Sequence, residues 1–526
     1  MELAGLRPEL TRREFLALMP GVAAASTLGA KKPMANDLCY LSLRELAQLL
    51  RIRELSARAV MNAHLEQIRL WNPHLNAIVA KLDDDKCLAL ADAADARAAR
   101  GEPLGRLHGL PWAFKDLEPA VGFPCTRGST IFRNDFPAAD SILVERLRAA
   151  GVIPIGKTNV PEFGMGSQTY NGVYGTTVNP YDLTKTAGGS SGGAGAGVAA
   201  GLLPGADGSD LGGSLRNPGN FNNVVGFRPT VGLVPIAPSM LPFLGFAVEG
   251  PIARSVADVG FLLAAMAGAD ARDPGCVPSD PAVFGGSLER DFKGVRVAWC
   301  PDLGVLPLDH RVRAVLDSQR RVFEALGCIV EDAHPDLSAA DEVFLTLRAF
   351  RTWTNLAPLL TSHRSELKPE AVQEIENGAR LTAAQVSAAM VRHGQILETM
   401  RVFQERYAFV LSAVNQVLPF DASMHWPAAI EGRRMEHYIA WMKSAYWITT
   451  TFHPAISVPA GFTEGLPVGV QIVGRYRDDL GVLQLARAFE AATGVGKQRP
   501  VLRISRNAPM TRPEIAARTE SWGLRP

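Results

Sequence analysis

Three residues of this chain could together run nucleophilic chemistry: Lys115, Ser190 and Ser214. Ser190 sits in Gly188-Gly-Ser190-Ser191-Gly-Gly193, and Ser214 follows 24 residues later in Asp210-Leu-Gly-Gly-Ser214-Leu-Arg216. Lys115 ends the apolar run Pro111-Trp-Ala-Phe-Lys115. A serine hydroxyl is a poor nucleophile at neutral pH and needs an adjacent base, with donors aimed at the developing oxyanion. Gly212 and Gly213 leave the backbone free to turn sharply and present N–H groups beside Ser214. Lys115 can serve as the base only when neutral, and desolvation lowers a lysine pKa by up to ~3–5 units. A neutral Lys115 would take a proton from Ser214 through Ser190. The ten histidines show no neighbouring Ser/Asp pattern.

Those side chains need elements to hold them. Leu110, Trp112 and Phe114 alternate with Ala113 and Lys115, which predicts a half-buried strand. Pro218 and the apolar residues after it predict a helix soon after Ser214, its positive end favouring negative charge nearby. Arg216 is expected to anchor that turn through a carboxylate. Gly188 to Gly201, taken alone, has the composition of a flexible linker. It leads instead into an Ala-rich helical pattern and the second Gly-Gly-Ser. It lacks the Gly-Lys-Ser/Thr ending of a P-loop and never fits G-x-G-x-x-G.

With these motifs in view, the chain resembles the amidase signature family. The likeness is carried by Gly109-Leu-Pro-Trp-Ala-Phe-Lys115-Asp116, Gly156-Lys-Thr-Asn-Val-Pro-Glu162-Phe163 and Gly164-Met-Gly-Ser167. Tyr174 to Pro180, Gly226 to Gly232, Glu249 to Arg254, Pro454 to Gly461 and Gly465 to Gln471 add to it. It spans roughly Leu41 to Pro500 and is densest between Gly109 and Gly232. The resemblance implies a compact α/β domain, a large mixed sheet sandwiched between helices. It implies Ser214 as nucleophile, Ser190 as bridging serine after a cis peptide, and Lys115 as general base. The backbone N–H groups of Leu211, Gly212, Gly213 and Ser214 would form the oxyanion hole. Ser209-Asp-Leu211 departs from the more usual Thr-Asp-Thr or Thr-Asp-Ile, which alters the pocket rim more than the mechanism. Asn217, Asn222 and Asn223 vary the stretch after Arg216.

Length, charge and composition agree with an enzyme. The 526 residues carry a net charge of +1 and 47% hydrophobic residues, with no long basic run to suggest nucleic acid. Six scattered cysteines lack metal spacing and read as mostly buried thiols. No metal or cofactor is expected. At the N-terminus, Thr11-Arg12-Arg13-Glu14-Phe15-Leu16 resembles a twin-arginine export motif. The weakly apolar run Leu16 to Ala30 after it is broken by Pro20 and too short to span a bilayer. A chance Arg pair on a short amphipathic helix is the competing account. The expected organisation is a signal segment over 1–35 and a catalytic domain over 36–526, with its core motifs in 109–235, exported to the periplasm or beyond. No stable membrane insertion is expected.

From Leu41 to Trp71 the pattern is helical, with Ser42 and Ser56 as N-caps and an end at Asn72-Pro73. Strands and helices then alternate to about Met266, and Gly268 to Gly286 reads as a loop. Val295–Trp299 reads as a strand, about Arg311 to Leu326 as a helix, and Leu345 to Phe409 as a polar helical outer layer. Trp426, Tyr438, Trp441, Tyr446 and Trp447 crowd the segment 420–451. Most should pack a helix face, while Trp426 and Trp441, with Met165 and Gly166, are the candidates for substrate contact. His425, Arg433 and Arg434 are weaker polar candidates. The reaction expected is hydrolysis of a carboxylic amide, apolar or aromatic, through an acyl-enzyme on Ser214. Aryl carbamate, urea or anilide hydrolysis uses the same residues. The glutaminase component of an amidotransferase and a binding protein on the same scaffold are the readings from other classes. The partner is a small-molecule amide, and monomer and homodimer both stay open.

Overall fold

Two serines start the fold. Ser42 caps the helix Leu43–Arg51 in a capping box with Glu45, and Ser56 caps the helix Ala57–Leu75. The second helix does not stop at Asn72-Pro73 as expected. Pro73 lies within its last turns, and the end comes at Asn76, in the left-handed conformation with its N–H on the Asn72 carbonyl. The computed structural model describes residues 35–502, so almost all of the expected signal segment lies outside the described residues.

A small sheet comes first in the chain. Its strands are β1 (Ile78–Val79), β2 (Pro111–Lys115) and β3 (Ile153–Thr158), with β3 central, antiparallel to β1 and parallel to β2. The larger sheet uses β4 (Gly205–Asp210), β5 (Val225–Arg228), β6 (Val248–Ala253), β7 (Arg296–Trp299), β8 (Ile329–Asp332) and β9 (Phe409–Ala413). After a two-residue pair, β10 (Ala429–Ile430) with β11 (Arg433–Arg434), come β12 (Ala455–Thr463) and β13 (Leu466–Val473). Its order is β4-β6-β5-β12-β13-β9-β7-β8, antiparallel as far as β9 and parallel beyond. The mixed α/β architecture is the one expected, in one domain with a core running from Leu43 and Trp112 to Val470 and Phe489. The strand of Lys115, however, stands outside the large sheet. It is also buried on both faces, not one, because β4 covers it and Asp207 accepts from the Trp112 indole.

Between the sheets lies the helix Gly192–Ala199, buried at every residue. Its glycines permit that position. A Cβ on Gly193 would stand 2.3 Å from the Asn159 nitrogen and 2.5 Å from the Ala77 carbonyl oxygen. The linker composition is therefore a packing requirement. The segment expected as a polar outer layer forms the helices Ala340–Ser362, Pro369–Ala379 and Ala383–Arg406. The first of these buries Val343, Phe344 and Leu347, so it is not only an outer layer. All six cysteines are free thiols, five of them buried. Among the described residues, no helix is long and apolar enough to cross a membrane.

Candidate active site

Lys115 is held where two sheets meet. Its backbone N–H donates to Asp207 Oδ2 on β4 at 2.9 Å, while Trp112 Nε1 donates to Asp207 Oδ1 at 2.8 Å. One carboxylate thus fastens β2 to the large sheet. The Lys115 side chain is fully buried, and its Nζ reaches Ser190 Oγ at 2.9 Å, Ser191 Oγ at 2.8 Å, Ser209 Oγ at 2.9 Å and the Ser209 carbonyl at 3.1 Å. Burial pulls its pKa down to about 8, against the opposing pull of Glu118, Asp210, Asp207 and Glu249. A neutral amine has two N–H donors and one lone pair. The Ser209 carbonyl can only accept, so a neighbouring hydroxyl can turn its proton into the lone pair.

Ser190 follows a cis peptide from Gly189. The carbonyls on either side of that turn are taken up by side chains: Ser167 Oγ donates to Gly189 O at 2.5 Å, and Thr169 Oγ1 to Gly188 O at 2.8 Å. Asn217 Nδ2 donates to Ser167 Oγ at 2.6 Å, and Asn415 Nδ2 to Asn217 Oδ1 at 2.9 Å. Asn222 and Asn223 are buried and bonded as well, Asn222 to Ala187 O at 2.7 Å and Asn223 to Gln498 O at 3.2 Å. The asparagine-rich variation after Arg216 thus places three buried side chains, Asn217 in a side-chain network with Ser167 and Asn415, Asn222 and Asn223 each on separate backbone carbonyls. Gly164 has φ +69°, and a Cβ there would lie 3.4 Å from Ser190 Oγ.

The Ser214 loop is built on Asp210, the carboxylate that Arg216 was expected to find. Arg216 grips it with Nε and Nη2, both at 3.0 Å, and Arg228 Nη1 adds a contact at 3.2 Å. Burial would raise the Asp210 pKa, but Arg216 and Arg228 outweigh it and hold the carboxyl well below its usual range. Asp210 also accepts from Leu215 N at 3.2 Å and from Gly213 N at 2.8 Å. That last bond corrects the expected donor set. The Gly213 N–H is spent on Asp210. Gly213 has φ +119°, a backbone setting that favours glycine. The helix after the loop is short, Arg216–Phe221. Ser191 N donates to Ser214 O at 3.2 Å, joining the two serine segments, and no direct hydrogen bond links Ser190 Oγ with Ser214 Oγ.

Aromatic and sulfur groups wall the loop. A Cβ on Gly212 would meet Phe344 Cζ at 2.9 Å, Met442 Cε at 3.4 Å and Tyr446 Cβ at 3.4 Å. Phe344 and Tyr446 stack with centroids 4.4 Å apart. The candidate Trp441 is a core residue instead: it is 1% exposed, stacks on Phe221 at 6.0 Å and meets Phe420 edge-on at 5.1 Å. Trp426 is half-buried, 6.2 Å from the Tyr438 ring, and a Cβ on Gly166 would lie 3.6 Å from that same ring. Met165 packs with Leu367, Ala371 and Ile375, and its carbonyl takes a 2.6 Å bond from Lys368 Nζ. His425 pairs with Glu370 at 3.2 Å, and Arg433 and Arg434 are exposed. Asp207 and Phe344 carry no local signature in the sequence; the register of the strands and the crossing of a distant helix bring them here, while Ser191 and Ser209 adjoin the serine motifs without any local sign that they face the lysine.

The family profile described as Amidase matches residues 59–483. The chain belongs to the amidase family. An acylamidase of Rhodococcus erythropolis is 35% identical over 469 residues, covering 88% of this chain and 98% of that protein. A glutamyl-tRNA(Gln) amidotransferase subunit of Carboxydothermus hydrogenoformans is 32% identical, covering 89% of this chain and 100% of its own length. Among solved structures, a bacterial aryl acylamidase of the amidase signature family superposes with a TM-score of 0.81 at 28% identity, covering 88% of this chain and 99% of its own. This family member is an amidase, a hydrolase of amide C–N bonds.

Proposed function

We propose that the chain hydrolyses apolar or aryl carboxylic amides through an acyl-enzyme on Ser214. Ser214 Oγ attacks the carbonyl carbon and passes its proton to Ser190 Oγ, whose own proton goes to Lys115 Nζ. The oxyanion takes N–H bonds from Leu211, Gly212 and Ser214. The proton returns from Lys115 through Ser190 to the leaving nitrogen, the C–N bond breaks, and water then releases the acid by the same path. The observation that carries this reading is the contact of a fully buried lysine with Ser190 at 2.9 Å, its pKa pulled down to about 8. The link between Ser214 and Ser190 is open in the free enzyme, and in this reading it closes around substrate. The acylamidase relatives support an apolar acyl or aryl group.

Ser214→Ala should abolish hydrolysis of a nitroanilide and labelling by a fluorophosphonate. Turnover above a trace in that variant, or labelling that persists, rules the assignment out. Glutamine hydrolysis at a rate comparable to the anilide would favour the amidotransferase reading.

Export through the twin-arginine pathway completes the proposal. Its support is the Thr11 to Leu16 motif. Replacing Arg12 and Arg13 with Lys should strand active enzyme in the cytoplasm. A wild-type protein found wholly in the cytoplasm ends this part of the reading.

A further inference from the structure

Three buried amides that the relay does not use, Asn217, Asn220 and Asn415, stand in one hydrogen-bonded file with Ser167. The file starts on β13, where the Gly469 N–H donates to Asn220 Oδ1. Asn220 Nδ2 donates to Asn415 Oδ1 at 2.6 Å, and Asn415 Nδ2 to Asn217 Oδ1 at 2.9 Å. Asn217 Nδ2 donates to Ser167 Oγ at 2.6 Å, and Ser167 Oγ to the Gly189 carbonyl at 2.5 Å. Both ends are fixed in sense, since a backbone N–H can only donate and a carbonyl oxygen can only accept. Turning any one amide over would set two donors or two acceptors face to face. All the bonds therefore run in one direction, from the large sheet to the peptide that carries Ser190, and bonds aligned head to tail strengthen one another.

Asn217 bears on the other serine segment as well. Its backbone N–H donates to the Gly213 carbonyl at 2.6 Å. A Cβ on Gly213 would stand 2.6 Å from Asn217 Nδ2 and 2.7 Å from Asn217 Oδ1, so the amide lies directly against the loop that presents Ser214. One side chain thus touches the nucleophile loop and, through Ser167, tethers the peptide of the bridging serine. On the other side of Ser190, the bond from Ser191 N to Ser214 O at 3.2 Å ties the same two segments. Ser190 is held through both of its neighbours.

We propose that Asn217 is a positioning residue for Ser190: through Ser167 it sets where the Ser190 hydroxyl stands between Lys115 and Ser214, and Asn220 and Asn415 hold its amide in the donating orientation. This rests on Ser190 being the bridging serine of the relay. That hydroxyl has to meet two partners at once, Ser214 Oγ and Lys115 Nζ. A misplacement of ~1 Å in such an arrangement can cost about a hundredfold in rate.

Asn217→Ala and Ser167→Ala cut the file at consecutive links, so their effects should not add. Each should lower kcat for a nitroanilide by about tenfold per titrated nucleophile, with KM within about twofold of the wild type. The double variant should lose about tenfold and not a hundredfold. In a Ser190→Ala background no hydroxyl is left to position, and Asn217→Ala should cost less than about twofold there. Where turnover of the Ser190 variant falls below detection, the rate of fluorophosphonate labelling reads the same comparison. A wild-type kcat in Asn217→Ala, an equal loss with and without Ser190, or a full hundredfold loss in the double variant overturns the proposal. A general loosening of the fold would not depend on the Ser190 hydroxyl. If Asn217→Ala does not fold, Ser167→Ala, which removes one oxygen, carries the comparison with Ser190→Ala. A Ser190→Ala enzyme with wild-type turnover would sink the bridging-serine assignment and this proposal with it, whereas a crippled Ser190→Ala with an equal Asn217 loss in both backgrounds sinks the proposal alone.

Discussion

Lys115 is a cation-forming group kept, fully buried, among oxygen atoms. Below pH of about 8 it is protonated both folded and unfolded, and the folded state bears the full cost of a buried ammonium. Between about 8 and the ordinary value of 10.5 the folded protein releases the proton first, so this cost disappears as pH rises. Compared with Lys115→Met, wild-type stability should therefore improve from pH 7.5 to 9.5; urea melts of the two proteins, differenced at each pH, measure it. Over the same interval kcat/KM should rise, with no inflection near ~6.5, the histidine value. Lys115→Arg cannot deprotonate and should lose roughly a thousandfold in rate or more, as Lys115→Ala should. Near wild-type activity in the arginine variant would make the lysine a fixed charge and end the relay account. Lys115, Ser190 and Ser214 were legible because each sits in a short motif of glycines or at a strand end. The oxygens of Ser191 and Ser209, which complete the lysine's surroundings, adjoin the same motifs, but nothing in the local sequence tells that they face the lysine Nζ.

At the level of elements, glycine composition can signal crowding as readily as flexibility. In the helix Gly192–Ala199, Gly193→Ala would force a carbon into backbone atoms that cannot move aside. It should cost upwards of about 3 kcal/mol, measured as a drop in urea midpoint, and the insoluble fraction should grow. Little change in the midpoint would mean that the helix can shift away from β1. Phe344 illustrates what sequence patterns leave out. Its helix has an ordinary mix of polar and apolar residues, and nothing within it tells that one ring lies over Gly212, 132 positions earlier in the chain. Buried and stacked on Phe246 and Tyr446, the ring backs the loop as core, and Phe344→Ala should cost about 3–5 kcal/mol, read as a fall in the urea midpoint. An unchanged midpoint would show that the ring gives the loop no support. Trp441 erred in the opposite direction: an aromatic cluster suggested a pocket, and the ring proved to be core packing between Phe221 and Phe420.

Across the whole molecule, the alternation of strands and helices was enough to read the mixed α/β class, whereas the division into two sheets was not. Apolar alternation reports that a strand is covered, not which sheet it joins. That division matters because the base belongs to the small sheet and the Ser214 loop to the large one, with Asp207 between them. A slight slip along this seam would separate Lys115 from Ser190 while leaving most helices and strands intact. On slow heating, anilide hydrolysis should decay several degrees before far-ultraviolet ellipticity changes, and Asp207→Asn should widen the interval; coincident curves would show that the sheets separate only on global unfolding. A preparation of this enzyme can thus look perfectly folded to a spectrometer and still be catalytically dead, so the concentration of working molecules has to be counted by titrating the nucleophile and not inferred from secondary structure.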